Sequence, residues 1–191
     1  MLILLRGTTG IGAITPPSGW TLMSGSFGNG TDGDGVYWKT AVGGEVSATF
    51  TYAVGGSRLT WAEAMAFNGA SAVDPYAYVS QTSVAQIDCP SITASWGSDD
   101  NLFLAIGYWS DVANGDAPTN YPTNYNLMRS TQAGAEFVGY TTSARQLAAA
   151  TDNPSNMIAS GNIDTAIGLT FVLRPGTTSM VAVARGASIM G

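Results

Sequence analysis

A chain of 191 residues with 45% hydrophobic and 10% charged residues can bury a sizeable core, yet it has few ions for its surface, where a charged share of roughly 25% is usual. Asp+Glu at 13 outweigh Lys+Arg at 7, a formal net charge of -6, so the basic footprint that a phosphate backbone needs is missing and nucleic acid is excluded as a partner. Histidine is absent and Cys89 stands alone, which excludes Ser-His-Asp and Cys-His catalysis, His-bearing zinc sites and an internal disulfide; Cys89 reads as a small buried apolar group.

Residues 1–5 are apolar, but Arg6 follows the run instead of preceding it, and the run is far shorter than a membrane span. It reads as a buried strand, and no membrane insertion is expected. Thr15-Pro-Pro-Ser-Gly19 breaks the chain before a short strand at Trp20–Met23. The loop from Gly25 to Gly35 carries Asn29, Asp32 and Asp34 at alternate positions, as a calcium loop would, but without the later glutamate. An exposed turn is the preferred reading there, and calcium at Asp32 and Asp34 stays open.

Gly35 to Tyr52 is expected to form a hairpin, with Gly43-Gly44 as its turn and Ala48, Phe50 and Tyr52 alternating with Ser47, Thr49 and Thr51. Leu59 to Phe67 contains helix-favouring Ala-Glu-Ala-Met-Ala. Its strict alternation and its flanking Gly-Gly-Ser and Asn-Gly nevertheless predict a strand. Ala70 to Gln86 reads as irregular, Ser91 to Trp96 as a strand, and Asn101 to Trp109 as a central strand covered on both faces.

The segment from Asp111 to Tyr125 reads as a long irregular loop, and Ala135 to Thr141 as a strand. Gln146 to Ala150 is short and either helical or extended. Ala166 to Pro175 is the last core strand. Many short strands with Gly, Pro and Asn punctuation predict an all-β, antiparallel β-sandwich of jelly-roll type over residues 1–175, with 176–191 as a tail that adds a strand or makes an assembly contact. Met180, Val181 and Val183 are the tail's candidate assembly residues.

No chemistry stands out. Glu63, Asp88, Asp99, Asp100, Glu136 and Asp164 are scattered at no spacing that marks a glycosidase pair, no phosphate cradle is present, and neither a cofactor nor enzymatic activity is expected. Among the aromatics, Trp20, Trp38 and Trp61 fall on expected core faces. Trp109, Tyr121 and Tyr125 lie in or beside the long loop, where rings can meet a glycan or a protein partner.

Ile14-Thr-Pro-Pro-Ser-Gly-Trp-Thr-Leu22, Tyr37-Trp-Lys-Thr-Ala41 with Glu45, Ala66-Phe-Asn-Gly69 before Asp74-Pro75, and the closing Gly168 to Pro175 strand together resemble jelly-roll-like domains of bacteriophage virion proteins. The resemblance covers most of the chain up to Pro175. It implies a non-enzymatic subunit on the virion surface, as a capsid decoration or a tail-fibre or tail-tip component, and by the same analogy a homotrimer that contacts other virion proteins. A carbohydrate-binding or host-receptor-binding module is the alternative.

Overall fold

The computed structural model describes residues 2–8, 14–16, 18–23, 35–43, 51–52, 60–74, 76–111, 115–133, 138–176 and 181–185. Among these the fold is all-β with antiparallel pairing throughout, in keeping with the β-sandwich class. The chain divides into two compact units, one of residues 1–70 with 176–191 and one of residues 71–175, which is not the expected division into a 1–175 domain and a tail.

The first unit contains β1 (Leu2–Thr8), β2 (Ile14–Thr15), β3 (Thr21–Leu22), β4 (Gly35–Lys39), β5 (Thr51–Tyr52) and β6 (Thr60–Asn68). The apolar opening strand β1 is central, paired with β4 from Leu2↔Lys39 to Arg6↔Gly35 and with β6 from Leu2↔Ala66 to Thr8↔Thr60. On β6 the alternation wins over helix propensity: Glu63, Met65 and Phe67 are buried while Ala64 is exposed.

The expected hairpin is corrected. The neighbours of β4 are β1 and β3, with Trp38 opposite Thr21, while Thr51 and Tyr52 pair with Thr15 and Ile14. Residues 44–50, with most of the expected second arm, lie outside the described residues. Trp20 and Trp38 are half-buried instead of enclosed in a core, and Lys39 Nζ sits 5.9 Å from the Trp20 ring centre. Trp61 lies on β6, but its side chain is outside the described residues.

The second unit contains β7 (Ala70–Val73), β8 (Ala77–Ile87), β9 (Ile92–Thr93), β10 (Asp99–Ser110), β11 (Asn126–Ala133), β12 (Val138–Ala149), β13 (Thr151–Asp152) and β14 (Met157–Pro175). Its six-stranded sheet runs β11-β12-β10-β14, and β7 and β8 follow one another along the outer side of β14. One reading is corrected and one open alternative is decided. The stretch from Ala70 to Gln86 is mostly strand, because its Ser, Thr, Gln and small residues suit a half-exposed edge, and Gln146 to Ala149 is extended within β12.

The central strands explain the burial. Residues 101–109 of β10 and 166–173 of β14 are buried on both faces, as the apolar runs led us to expect. Leu102, Leu104, Ile106 and Tyr108 share one face with their register partners Leu173, Phe171, Leu169 and Ile167. The opposite face is lined by small residues, with Ala105, Gly107, Ala166, Gly168 and Thr170 side by side. A second layer descends onto those small residues.

That layer is the far end of the β8–β14 ribbon. From Thr170↔Ala77 to Ile163↔Val84 the ribbon lies in the sheet, and between Ile163 and Ile158 the register shifts while Ser83 takes a left-handed φ of 52°. Beyond the shift the ribbon turns back, so that Ile87 and Met157 cover Gly107 and the Asp88 carbonyl covers Gly168. Gln81 braces the bend by accepting from the Asp88 N–H at 2.8 Å.

A last strand, β15 (Val181–Arg185), returns to the first unit, where it pairs with β6 from Val181↔Asn68 to Arg185↔Ala64 and completes the order β15-β6-β1-β4-β3. The tail thus adds an edge strand to a sheet of its own chain.

Candidate functional site

The loop between β10 and β11 is held in place by the start of β14. Thr119 N donates to the Ile158 carbonyl at 2.7 Å and Ser160 N to the Ala117 carbonyl at 3.0 Å, with Pro118 opposite Ala159 in a single bridge. Side chains complete the seam: Ile158 N donates to Asn120 Oδ1 at 2.6 Å, Thr123 N to Ser155 Oγ at 2.8 Å, and Ser160 Oγ to Asp116 Oδ1 at 2.9 Å. Glycine at 161 lets the Asp116 carboxylate approach, since a Cβ at that position would displace it. The bulged start of β14 therefore accounts for an otherwise irregular loop.

On this seam two large apolar side chains remain in solvent, Tyr121 at 39% and Ile158 at 48% exposure. Of the three aromatics singled out from the sequence, Tyr121 alone offers ring surface. Trp109 is 1% exposed, on the small-residue face of β10, and Tyr125 is 4% exposed. Sequence reasoning missed Ile158; its signal was the change from the polar Asn-Pro-Ser-Asn stretch to a β-branched residue.

Tyr125 takes part in a buried polar cluster. Its hydroxyl donates to Asp152 Oδ2 at 2.7 Å, while Asp152 Oδ1 accepts from Arg145 at 3.3 Å and from the Asn153 N–H at 3.0 Å. Burial, and then the hydrogen bond and negative charge of Asp152, push the Tyr125 phenol well above its ordinary range. Cys89 is likewise buried, with its thiol directed at the Ile106 carbonyl; burial, reinforced by Asp88, pushes it up to about 12, far from thiolate reactivity.

The carboxylates that the sequence left open are dispersed. Glu63 is enclosed in the first unit, Asp88 is half-buried beside Cys89, and Asp164 is exposed on β14. Asp99 pairs with Arg174 at 3.3 Å, and Asp100 accepts from Gln146 at 2.7 Å. Glu136, the Asp32 and Asp34 loop and Met180 lie outside the described residues, as do the side chains of Val181 and Val183. Among the described residues no group of three His, Cys, Asp or Glu side chains could hold a metal, and no helix is long and apolar enough to cross a membrane.

No family model, curated protein or solved structure matches the chain. Any function must therefore rest on its own residues.

What this arrangement can do is hold a shape. Several polar side chains of the second unit serve as scaffolding: Asp152 to β13 and the loop end, Asp116 to the seam, and Asp74 to Ser95 through both its N–H and its hydroxyl at 2.5 and 2.7 Å. Asn101 accepts from Trp96 Nε1 at 2.8 Å and donates to the Ala149 carbonyl at 2.7 Å.

Proposed function

We propose that the chain is a non-enzymatic structural subunit of a bacteriophage particle, carried on the virion surface as a capsid decoration or a tail-fibre or tail-tip component. The observation that carries this reading is the use of the buried Tyr125, Asp152 and Asn101 and the half-buried Arg145 as structural cross-links, in a chain that has no histidine and whose only thiol is enclosed. The sparse charge and the antiparallel sheets suit a subunit whose flanks are covered by neighbours, copies of itself and other virion proteins. The trimeric state rests on analogy with virion surface proteins.

The test is to image a labelled copy of the protein on purified particles, together with an assay of the isolated protein on bacterial surface polysaccharide. Label at regular positions on the capsid or tail, without hydrolysis, supports the reading. Hydrolysis that is abolished by replacing one carboxylate would sink it.

A second reading, a glycan- or receptor-binding module, is favoured by Tyr121, a phenol ring held in solvent on a loop that is fixed at both flanks. It predicts that the isolated protein retains surface glycan and that Tyr121→Ala abolishes retention.

A further inference from the structure

Asparagine followed by glycine carries a chemistry of its own: the glycine nitrogen can attack the asparagine side-chain amide, because no Cβ shields it and its backbone turns freely. The chain has three such pairs, Asn29-Gly30, Asn68-Gly69 and Asn114-Gly115. Asn29 and Asn114 lie outside the described residues, whereas Asn68-Gly69 is described in full. Asn68 is the last residue of β6, its side chain is exposed, and among the described residues no hydrogen bond holds that side chain. Gly69 follows as a turn with a left-handed φ of 79°, so the peptide between the two is the first beyond the ladder.

The other described asparagines are protected. Asn101 is buried and donates to the Gly97 and Ala149 carbonyls, Asn120 Oδ1 accepts from the Ile158 N–H, and Asn156 donates to Gln86. Asn153 precedes Pro154, whose nitrogen carries no hydrogen, and Asn124, Asn126 and Asn162 precede the bulky Tyr125, Leu127 and Ile163.

We propose that Asn68-Gly69 is a self-modification site, at which the ageing chain converts Asn68 to aspartate or isoaspartate and loosens its tail strand β15. The Gly69 nitrogen bonds to Asn68 Cγ and gives up its proton, the Cγ–Nδ2 bond breaks, and Nδ2 leaves as ammonia, which closes a five-membered succinimide. Water then opens the ring. Attack at the Cγ carbonyl restores the ordinary main chain as aspartate; attack at the main-chain carbonyl leaves the chain running through Cβ and Cγ as isoaspartate, one atom longer. No oxidant, reductant or enzyme takes part. Two contacts of the tail start from this turn. Asn68 pairs with Val181, the first pair between β6 and β15, and the Gly69 carbonyl accepts from the Gly176 N–H. An extra main-chain atom at residue 68 displaces both, as a bulge displaces a ladder, and only the five paired residues of β15 resist it. Either product also adds a negative charge to a chain of net charge -6.

The experiment ages the full chain and the variant N68Q, whose longer side chain would have to close a six-membered ring, at mildly alkaline pH. Peptide mass spectrometry reads amide-to-acid conversion at each asparagine, labelling by an isoaspartyl methyltransferase reads isoaspartate, and hydrogen exchange reads protection at Val181–Arg185. Expected are acid at residue 68, isoaspartate among the product, and a loss of β15 protection equal to the isoaspartate fraction, while N68Q keeps its protection. A urea-unfolded sample serves as control: if Asn68 converts there but keeps its amide in the folded chain, the turn prevents the attack and the proposal is overturned. It is equally overturned if Asn68 converts while β15 keeps its protection, or if N68Q loses protection as fast as the native chain. Should N68Q melt lower at the outset, the match between isoaspartate fraction and lost protection in the native chain decides alone.

Discussion

Gly107 on β10 and Gly168 on β14 stand directly opposite one another, and the missing side chains open the slot into which the turned-back ribbon settles. A Cβ on Gly168 would fall on the Asp88 carbonyl, a backbone group with little room to retreat, whereas a Cβ on Gly107 would lie 2.7 Å from Met157 Sδ at the end of a flexible side chain. Gly168→Ala should therefore cost about 3 kcal/mol, lowering the melting temperature by roughly 6–12 °C. Gly107→Ala should cost about 1 kcal/mol. Thermal unfolding of both variants checks the order; equal losses would count against a slot set by backbone at one end and side chain at the other.

The cluster at Asp152 sets a second expectation. Tyr125→Phe removes one of the donors to Asp152, leaving Arg145 and the Asn153 N–H, and should cost about 1 kcal/mol. Asp152→Ala leaves the Tyr125 hydroxyl buried without its acceptor and should cost more, about 2–3 kcal/mol. Urea unfolding measures both, and an Asp152→Ala change smaller than that of Tyr125→Phe would refute the arrangement.

Alkaline pH should weaken the fold. The Cys89 thiol ionises from 9.0 upward in its ordinary state and near 12 in the folded chain, so between these values the unfolded chain releases its proton first and stability falls. The slope is at most about 1.4 kcal/mol per pH unit for each such group. Tyr125, also raised, adds to the loss above its ordinary range near pH 10. Melting temperature followed from pH 8 to 11 should decline, and less steeply between pH 9 and 10 in Cys89→Ala. The same burial predicts that Cys89 resists a thiol reagent in the native chain and reacts fully in denaturant.

Removing residues 177–191 should lower the melting temperature of the isolated protein, because it removes β15 and exposes the outer side of β6. An unchanged melting temperature would mean that the five paired residues contribute nothing within the monomer and that the tail acts in contact with another chain.

Substituting Asn120→Ala should leave global stability within about 0.5 kcal/mol yet speed hydrogen exchange at Ile158, whose N–H it accepts. Unchanged exchange there would show that the loop is held by its backbone bridges alone.

Features that depend on neighbours along the chain were legible from the residues alone. Alternation on Leu59–Phe67 and the apolar runs at Asn101–Trp109 and Ala166–Pro175 identified strands and their degree of cover, because a period of two follows from strand geometry alone. The lack of histidine and the solitary Cys89 likewise excluded chemistries without any coordinates. Which strands meet depends on contacts between distant segments. Trp38 faces Thr21 instead of a hairpin partner, and Ser71 and Pro175, far apart in sequence, come within 3.0 Å as Ser71 Oγ meets the Pro175 carbonyl. Such contacts also decided which aromatics reach solvent: Tyr125 and Tyr121 belong to the same loop, but a buried Asp152, nearly thirty residues further on, draws the first inward and leaves the second exposed. Pairing partners and buried hydrogen bonds are set by groups brought together over long separations, and alternation along one strand carries no record of what lies beside it.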